Sequence, residues 1–162
     1  MKPVVSDSST LIVLLDTGYF SVLFELFESL CIVDEVMEEI TAKYNHRTVI
    51  ETYIAQEAIR RCTLPPNDPL RAMLRLRLDP GEAAAIALAK TRGLPLIIDE
   101  RTGRKIAREQ GVPIIGLIGI LLKMMEKNIL TKPEALRILR GAEENNFYLA
   151  DSLKDMIRGY HG

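Results

Sequence analysis

Pro3-Val4-Val5-Ser6-Asp7-Ser8-Ser9-Thr10 is the stretch of sequence that decides the fold. Its short apolar run ends on an acid and is followed by hydroxyl residues, which favour the start of a helix. A second apolar run, Leu94-Pro95-Leu96-Ile97-Ile98, ends in the same way on Asp99-Glu100. In open α/β sheets, side chains at the carboxyl ends of the strands face one crevice, where ligands bind. Two strand-terminal carboxylates therefore predict a site for a hard cation such as Mg²⁺.

Strand and helix signals alternate along the rest of the chain. We predict strands over 3–6, 31–33, 95–98 and 113–115. Helical runs are predicted over 11–15, 20–27, 34–43, 48–61, 69–78, 79–93, 102–110, 116–127, 133–144 and 150–158. Because no two strands are joined by a two-residue hairpin turn, the pattern predicts an α/β fold with a parallel sheet covered by helices on both faces.

Size and composition indicate one globular domain. The chain has 162 residues, of which 48% are hydrophobic and 27% charged. The net charge of −1 provides no general attraction for nucleic acid, so any such site must be a local patch.

A strand begins almost at Met1, and no apolar stretch is long enough to span a bilayer. We therefore expect a cytoplasmic protein that does not enter a membrane, with Cys31 and Cys62 as buried free thiols.

The carboxylates have structural as well as functional interpretations. Asp7 could cap the following helix, although Ser8, Ser9 and Thr10 could each do so instead. Asp99 could likewise form the turn into the next helix and cap it, although Thr102 can provide that cap.

Two glutamates are more ambiguous. Glu82 completes the capping-box pattern Asp79-x-x-Glu82, so its spacing alone does not separate a cap from a ligand. Glu39 borders the apolar stripe of its helix, where most glutamates form a solvated face.

A basic strip follows Asp99. Its members are spaced to share one helix face: Arg101, Arg104, Lys105 and Arg108. They form either an ordinary solvated face or a surface that positions phosphates beside the acidic site, with Arg104 as the first candidate. Neither histidine has the spacing of a metal ligand, and we place His46 in a loop.

Taken in order, the acidic motifs resemble those of PIN domains, and in particular a prokaryotic PIN subfamily related to VapC-type toxins. The segments that carry the resemblance are 4–9, 36–40, 81–86, 96–100, 103–107 and 116–119. It covers residues 1 to 122 best, and the helical tail is less diagnostic. The fourth motif differs from the Thr-Asn-Asp sequence of many VapC-like toxins, and the third acid is Glu82 where an aspartate is common.

The resemblance implies a three-layer α/β/α sandwich with a mainly parallel sheet of about five strands. Residues 1–162 would form a single PIN-like domain, with 121–162 as a C-terminal helical extension packed on it. It also implies four metal-binding and catalytic acids, together with a small hydroxyl residue after the first acid: Asp7, Glu39, Glu82 and Asp99, with Ser8 or Ser9. Glu38 is an alternative second acid, but the Val-x-x-Glu spacing from Val36 favours Glu39.

The resulting hypothesis is a Mg²⁺- or Mn²⁺-dependent endoribonuclease, which could be the toxin of a toxin–antitoxin pair. The alternative is a catalytically weak PIN scaffold that binds a protein partner such as an antitoxin. The segment 116–125, with Gly116-x-x-Gly119 and Met124-Met125, could serve a partner or a homodimer, or could simply pack in the core. An aspartate-nucleophile phosphatase is disfavoured because Ser9 stands where those enzymes have a second aspartate.

Overall fold

Five parallel strands form the centre of the molecule, whose computed structural model describes residues 1–161. They are β1 (Val4–Ser6), β2 (Leu30–Ile32), β3 (Ile59–Arg61), β4 (Leu96–Ile97) and β5 (Ile114–Ile115). Their spatial order is β3-β2-β1-β4-β5, and every neighbouring pair is parallel. The predicted α/β sandwich with a five-stranded sheet is confirmed.

Helices connect the strands and cover the sheet. They are α1 (Ser8–Thr17), α2 (Asp34–Ile40), α3 (Tyr44–Ala55), α4 (Pro69–Leu74), α5 (Pro80–Arg92), α6 (Arg101–Glu109), α7 (Leu117–Glu126), α8 (Lys132–Glu144) and α9 (Asp151–Arg158). A short 3₁₀ helix, Phe20–Glu25, replaces the helical run predicted over 20–27. Among residues 1–161, no helix has the length and apolar character needed to cross a bilayer.

The alanine-rich helix α5 packs on the middle of the sheet. It contacts β1 and β4, and its run 81–89 is buried. Small side chains let a helix approach a sheet closely, and Asp79 and Gly93 begin and end this helix as the sequence predicts. The close approach also brings the start of α5 to the carboxyl ends of the strands.

One strand was missed by the sequence analysis, which placed 48–61 in a single helix. In the structure α3 ends at Ala55, the backbone turns through Glu57 with a positive φ of 61°, and β3 follows. This strand lies at the edge of the sheet, and of its three residues only Ile59 is buried. An edge strand with two exposed arginines lacks the apolar run by which the other strands are recognised.

The helix predicted over 34–43 is shorter than expected. It begins at Asp34, with Val33 in the N-cap position, and it ends at Ile40. At this end the Thr41 hydroxyl donates to the Met37 carbonyl (2.7 Å). Such a side-chain hydrogen bond competes with the backbone hydrogen bonds that would continue the helix.

The placement of His46 in a loop was wrong. It lies in α3, is 4% exposed, and its Nε2 is 2.7 Å from Asp16 Oδ1. The two cysteines match their prediction, since both are buried and neither forms a disulfide.

Helix α8 lies very close to α1, and α9 contacts both α7 and α8. A Cβ atom added at Gly141 of α8 would overlap Thr17 Cγ2 of α1. The Thr17 rotamer is fixed by its hydroxyl, which donates to the Val13 carbonyl (2.8 Å). Gly141 is therefore the residue that lets the two helices meet at this point.

We predict that Gly141→Ala destabilises the protein even though alanine is the better helix former. Overpacking costs about 1–3 kcal/mol, whereas the gain in helix propensity is only about 1 kcal/mol. Urea unfolding measures the net loss. The double variant Gly141→Ala/Thr17→Ser, which removes Cγ2 and keeps the hydroxyl, should recover most of it. Equal stability of Gly141→Ala and the wild type would contradict this packing.

Candidate metal centre

Two aspartates emerge side by side from neighbouring strands. Asp7 directly follows β1, and its backbone N–H donates to the Ile97 carbonyl of β4 (2.9 Å). Asp99 follows β4 by two residues, and β1 and β4 are paired in parallel. The structure thus brings the two predicted strand-terminal acids to the same edge of the sheet.

Asp99 is held by hydrogen bonds from two neighbouring helices. Its carboxylate accepts hydrogen bonds from the Thr10 hydroxyl of α1 and from the Leu117 N–H at the start of α7, which is 3.1 Å from both oxygens. A Cβ atom at Gly116 would lie 2.5 Å from Asp99 Oδ1 and 2.7 Å from Arg104 Nη1. The absence of a side chain at Gly116 is therefore required for this arrangement.

Glu39 reaches the same region from α2. Its Oε2 accepts a hydrogen bond from the Ser8 hydroxyl (2.8 Å). Its Oε1 lies above Gly81 at the start of α5, 2.8 Å from the position a Cβ atom would take. Glu38 is exposed and has no side-chain hydrogen bond within residues 1–161. The geometry therefore favours Glu39 over Glu38 as the second acid.

Glu82 makes only half of the capping box that its spacing suggests. Its backbone N–H donates to Asp79 Oδ1 (2.8 Å), but in the described part of the chain its side chain does not return to the Asp79 backbone. Both halves are present in the capping box of Thr131 and Glu134 at the start of α8. The buried Glu82 carboxyl is thus not occupied in capping and lies near Asp79 and Asp7.

The caps expected from the sequence are placed differently. Asp7 occupies the N-cap position of α1 but makes no side-chain capping hydrogen bond. Ser8 and Thr10, which were candidate caps, instead donate to Glu39 and Asp99. Glu100 caps α6 in place of Thr102, accepting from the backbone N–H groups of residues 102 (3.1 Å) and 103 (2.6 Å). Neither Asp7 nor Asp99 therefore caps the helix that follows its own strand.

Crowding of buried carboxylates raises their pKa values. The pKa of Asp7 rises to about 7, mainly through burial and further through the nearby charges of Asp79, Glu39 and Asp99, against a hydrogen bond from the Ser8 backbone. The pKa of Glu82 rises to about 8, through burial, a side-chain hydrogen bond with Asp79 and the charges of Asp79, Asp7 and Glu100. Burial also raises the pKa of Asp99, although Thr10, Leu117 and Arg104 oppose the shift.

The donor set fits a hard divalent cation. All the predicted ligands are carboxylates, and a nearby positive charge would offset the repulsion that raises their pKa values. Within residues 1–161, no three acidic, histidine or cysteine side chains are close enough to hold an ion jointly. Mg²⁺ keeps several of its waters and is commonly bound through one or two carboxylates, so the fit rests on the chemistry of the donors.

A groove of about 860 Å³ opens beside Asp99. Six residues are predicted from the sequence to contact the substrate, namely the two serines after Asp7 and the four basic residues. Ser9, Arg101, Arg104 and Arg108 line the groove, whereas Ser8 and Lys105 do not. Arg104 is half-buried, and its Nη1 donates to the Ile98 carbonyl (2.9 Å), so it also helps to hold the end of β4. The rest of its lining is largely apolar and includes residues 146–150.

The sequence analysis missed two members of the site. Thr10 was considered only as a cap, yet it lies three residues after Asp7, on the same face of α1, and contacts Asp99. Asp79 was assigned only to capping, yet its charge acts on both Asp7 and Glu82. The i, i+3 spacing from Asp7 could have identified Thr10. Nothing in the sequence marked Asp79 as a site residue, because its position as the cap of α5 is a sufficient reason for an aspartate there.

Similarity to known proteins extends over most of the chain. A family model described as DUF3368, a PIN domain, matches residues 3–160. A solved structure of a PilT N-terminus domain protein from the hyperthermophilic archaeon Sulfolobus solfataricus P2 is similar, with a TM-score of 0.48 and 17% identity; the match covers 78% of this chain and 95% of that one. No curated protein matches the chain.

We predict that the metal-free protein loses stability as the pH rises. The folded pKa values of Asp7 and Glu82 (about 7 and about 8) exceed their ordinary values of 3.8 and 4.5. At a pH between the ordinary and the folded pKa values, the folded state holds more protons than the unfolded state. The free energy of unfolding therefore falls as the pH rises, and the loss is complete above pH 8. Thermal unfolding in chelator should therefore show a lower midpoint at pH 8 than at about pH 5.

The variants Asp7→Asn and Glu82→Gln should each flatten this profile, because each removes a group that titrates. Glu144→Gln on α8, where the carboxylate is exposed, is the matched control and should leave the profile unchanged. A wild-type midpoint that does not fall over this range would mean that the two carboxyls are not crowded as described.

Proposed function

The chain belongs to the PIN domain family, and from this premise we propose that it is a Mg²⁺- or Mn²⁺-dependent endoribonuclease. Members of the family are generally nucleases. The observation that carries the proposal is the meeting of Asp7, Glu39, Glu82 and Asp99 at one edge of the sheet, two of them with strongly raised pKa values. Carboxyl groups whose pKa values are strongly shifted by burial and by neighbouring acids, as those of Asp7 and Glu82 are, are typical of functional sites.

Each carboxylate has a distinct setting that suits a role in hydrolysis. The buried pair Asp7 and Glu82 would bind the ion directly, since both gain most from a positive charge. Asp99, fixed by Thr10 and the Leu117 N–H, presents a carboxylate of defined orientation. A divalent ion bound there would lower the pKa of a water molecule and offset charge on the scissile phosphate.

Glu39 is suited to handling water. It lies on the exposed side of the cluster and is oriented by the Ser8 hydroxyl. A carboxylate held in this way can orient an attacking water and accept its proton, or assist a second ion. The arginines of α6 supply positive charge for the substrate phosphates, which the net charge of −1 cannot attract from a distance.

An antitoxin partner and a role as a toxin are predictions that rest on the resemblance to VapC-type proteins, and a homodimer is a prediction that rests on the segment 116–125.

We predict that Asp7→Asn nearly abolishes cleavage without unfolding the protein. Asparagine keeps the size and removes the charge that the ion requires, and the loss of a buried charge should raise stability at pH 8 in chelator. The assay is cleavage of single-stranded RNA and transfer RNA by the wild type and the variant in Mn²⁺, Mg²⁺ or chelator. Unchanged cleavage by Asp7→Asn, or wild-type cleavage in chelator, would end the metal-nuclease assignment.

The capping and metal roles of Glu82 can be separated by Glu82→Gln. Glutamine keeps the backbone N–H that Asp79 accepts, so the helix start should remain intact. The variant should bind Mn²⁺ clearly more weakly in calorimetric titration, because a charged ligand is lost. Glu134→Gln, at the true capping box of α8, provides the control and should bind Mn²⁺ as the wild type does. Equal Mn²⁺ affinity in the wild type, Glu82→Gln and Glu134→Gln would mean that Glu82 has only a structural role.

A further inference from the structure

The lining of the groove beside Asp99 combines two kinds of side chain. Arg101, Arg104 and Arg108 contribute to it from α6. Residues 146–150, 153 and 156 also contribute, and among them are the aromatic side chains of Phe147 and Tyr148. Asp99 also lines the groove, so the groove adjoins the candidate metal centre.

In the described part of the chain, Arg101 and Arg108 carry positive charge without a partner, whereas Arg104 acts on the Asp99 carboxylate. Within residues 1–161, none of the three guanidinium groups forms an ion pair with a carboxylate. Arg101 and Arg108 are exposed, and Arg104 uses one N–H on the Ile98 carbonyl. Uncompensated arginines in a concave surface favour an anionic ligand such as a phosphodiester.

The aromatic part of this lining presents a ring that the fold does not use. Tyr148 is 88% exposed on the groove wall, whereas the neighbouring Phe147 packs against the core and anchors the segment. A ligand that contacts both kinds of side chain must be anionic in one part and flat and apolar in another, as a nucleotide is. An apolar protein segment would instead bury the guanidinium groups without partners, which is costly.

We propose that Tyr148 stacks on a base of single-stranded RNA whose phosphates lie along Arg101 and Arg108. This inference rests on the proposed function and adds to it a substrate-binding residue outside the acidic motifs. A single strand is required because its bases offer free faces to aromatic side chains, whereas bases within a duplex are stacked on one another. The segment 146–156 then forms part of the substrate site.

The test measures binding in chelator, so that it does not depend on cleavage. The probe is a short oligoadenylate RNA carrying 2-aminopurine, whose fluorescence falls when the base stacks. Tyr148→Ala should weaken binding by roughly tenfold, the loss expected for one base-stacking contact, and should abolish the fluorescence change. Tyr148→Phe keeps the ring and should bind like the wild type.

Two controls separate this contact from general effects. Tyr44 is 79% exposed but does not line the groove, so Tyr44→Ala should leave binding unchanged. Arg108→Ala should reduce the slope of log K against log salt by about 0.7, the value for one single-strand phosphate contact, whereas Tyr148→Ala should not change this slope. Arg140→Ala on α8, an exposed arginine outside the groove, should preserve it.

The inference is overturned if Tyr148→Ala binds the probe as tightly as the wild type, or if Arg108→Ala leaves the salt slope unaltered. Equal affinity for oligodeoxyadenylate or for duplex RNA would overturn the commitment to single-stranded RNA. Failure of the proposed function has a different signature. It would be seen as groove binding that depends on Tyr148 without cleavage in Mn²⁺ or Mg²⁺.

Discussion

Repulsion among carboxylates at the carboxyl edge of the sheet is the constraint around which the site is organised. Asp7 and Glu82 are buried, and their pKa values are raised to about 7 and about 8 by that burial and by neighbouring acids. The fold keeps them there because β1 and the start of α5 are set by the core, not by the charges. A proton or a cation must then offset the repulsion, which links stability, pH and metal binding through the same residues.

Residues without side chains make this crowding sterically possible. Gly81 gives Glu39 room to lie over the start of α5, and Gly116 gives room to Asp99 and Arg104. The hydroxyl groups of Ser8 and Thr10 then orient two of the carboxylates from one helix. The support of the acids is thus distributed over α1, α5 and α7, so that the site depends on how these helices pack against the sheet.

The sequence predicted the central part of the fold well and its edge poorly. Strands β1, β2, β4 and β5 lie in buried or half-buried apolar runs, which the sequence reveals directly. Strand β3 has one buried residue followed by two exposed arginines, and its pairing with β2 gives it strand conformation that its own composition does not indicate. The burial of His46 similarly depends on Asp16, thirty residues earlier in the chain, and has no local signal.

For the site, the sequence by itself determined which acids end apolar strands, because Asp7 and Asp99 need only local pattern to be recognised. Tertiary structure decided the rest. It brought Glu39, and not Glu38, to Ser8 and Gly81, and it left the Glu82 side chain outside the capping box that its spacing suggests. It also joined Tyr148 to the arginines of α6 in one groove. The physical reason is that capping and strand ends depend on neighbours in sequence, whereas charge crowding and groove walls depend on distances between elements far apart in the chain.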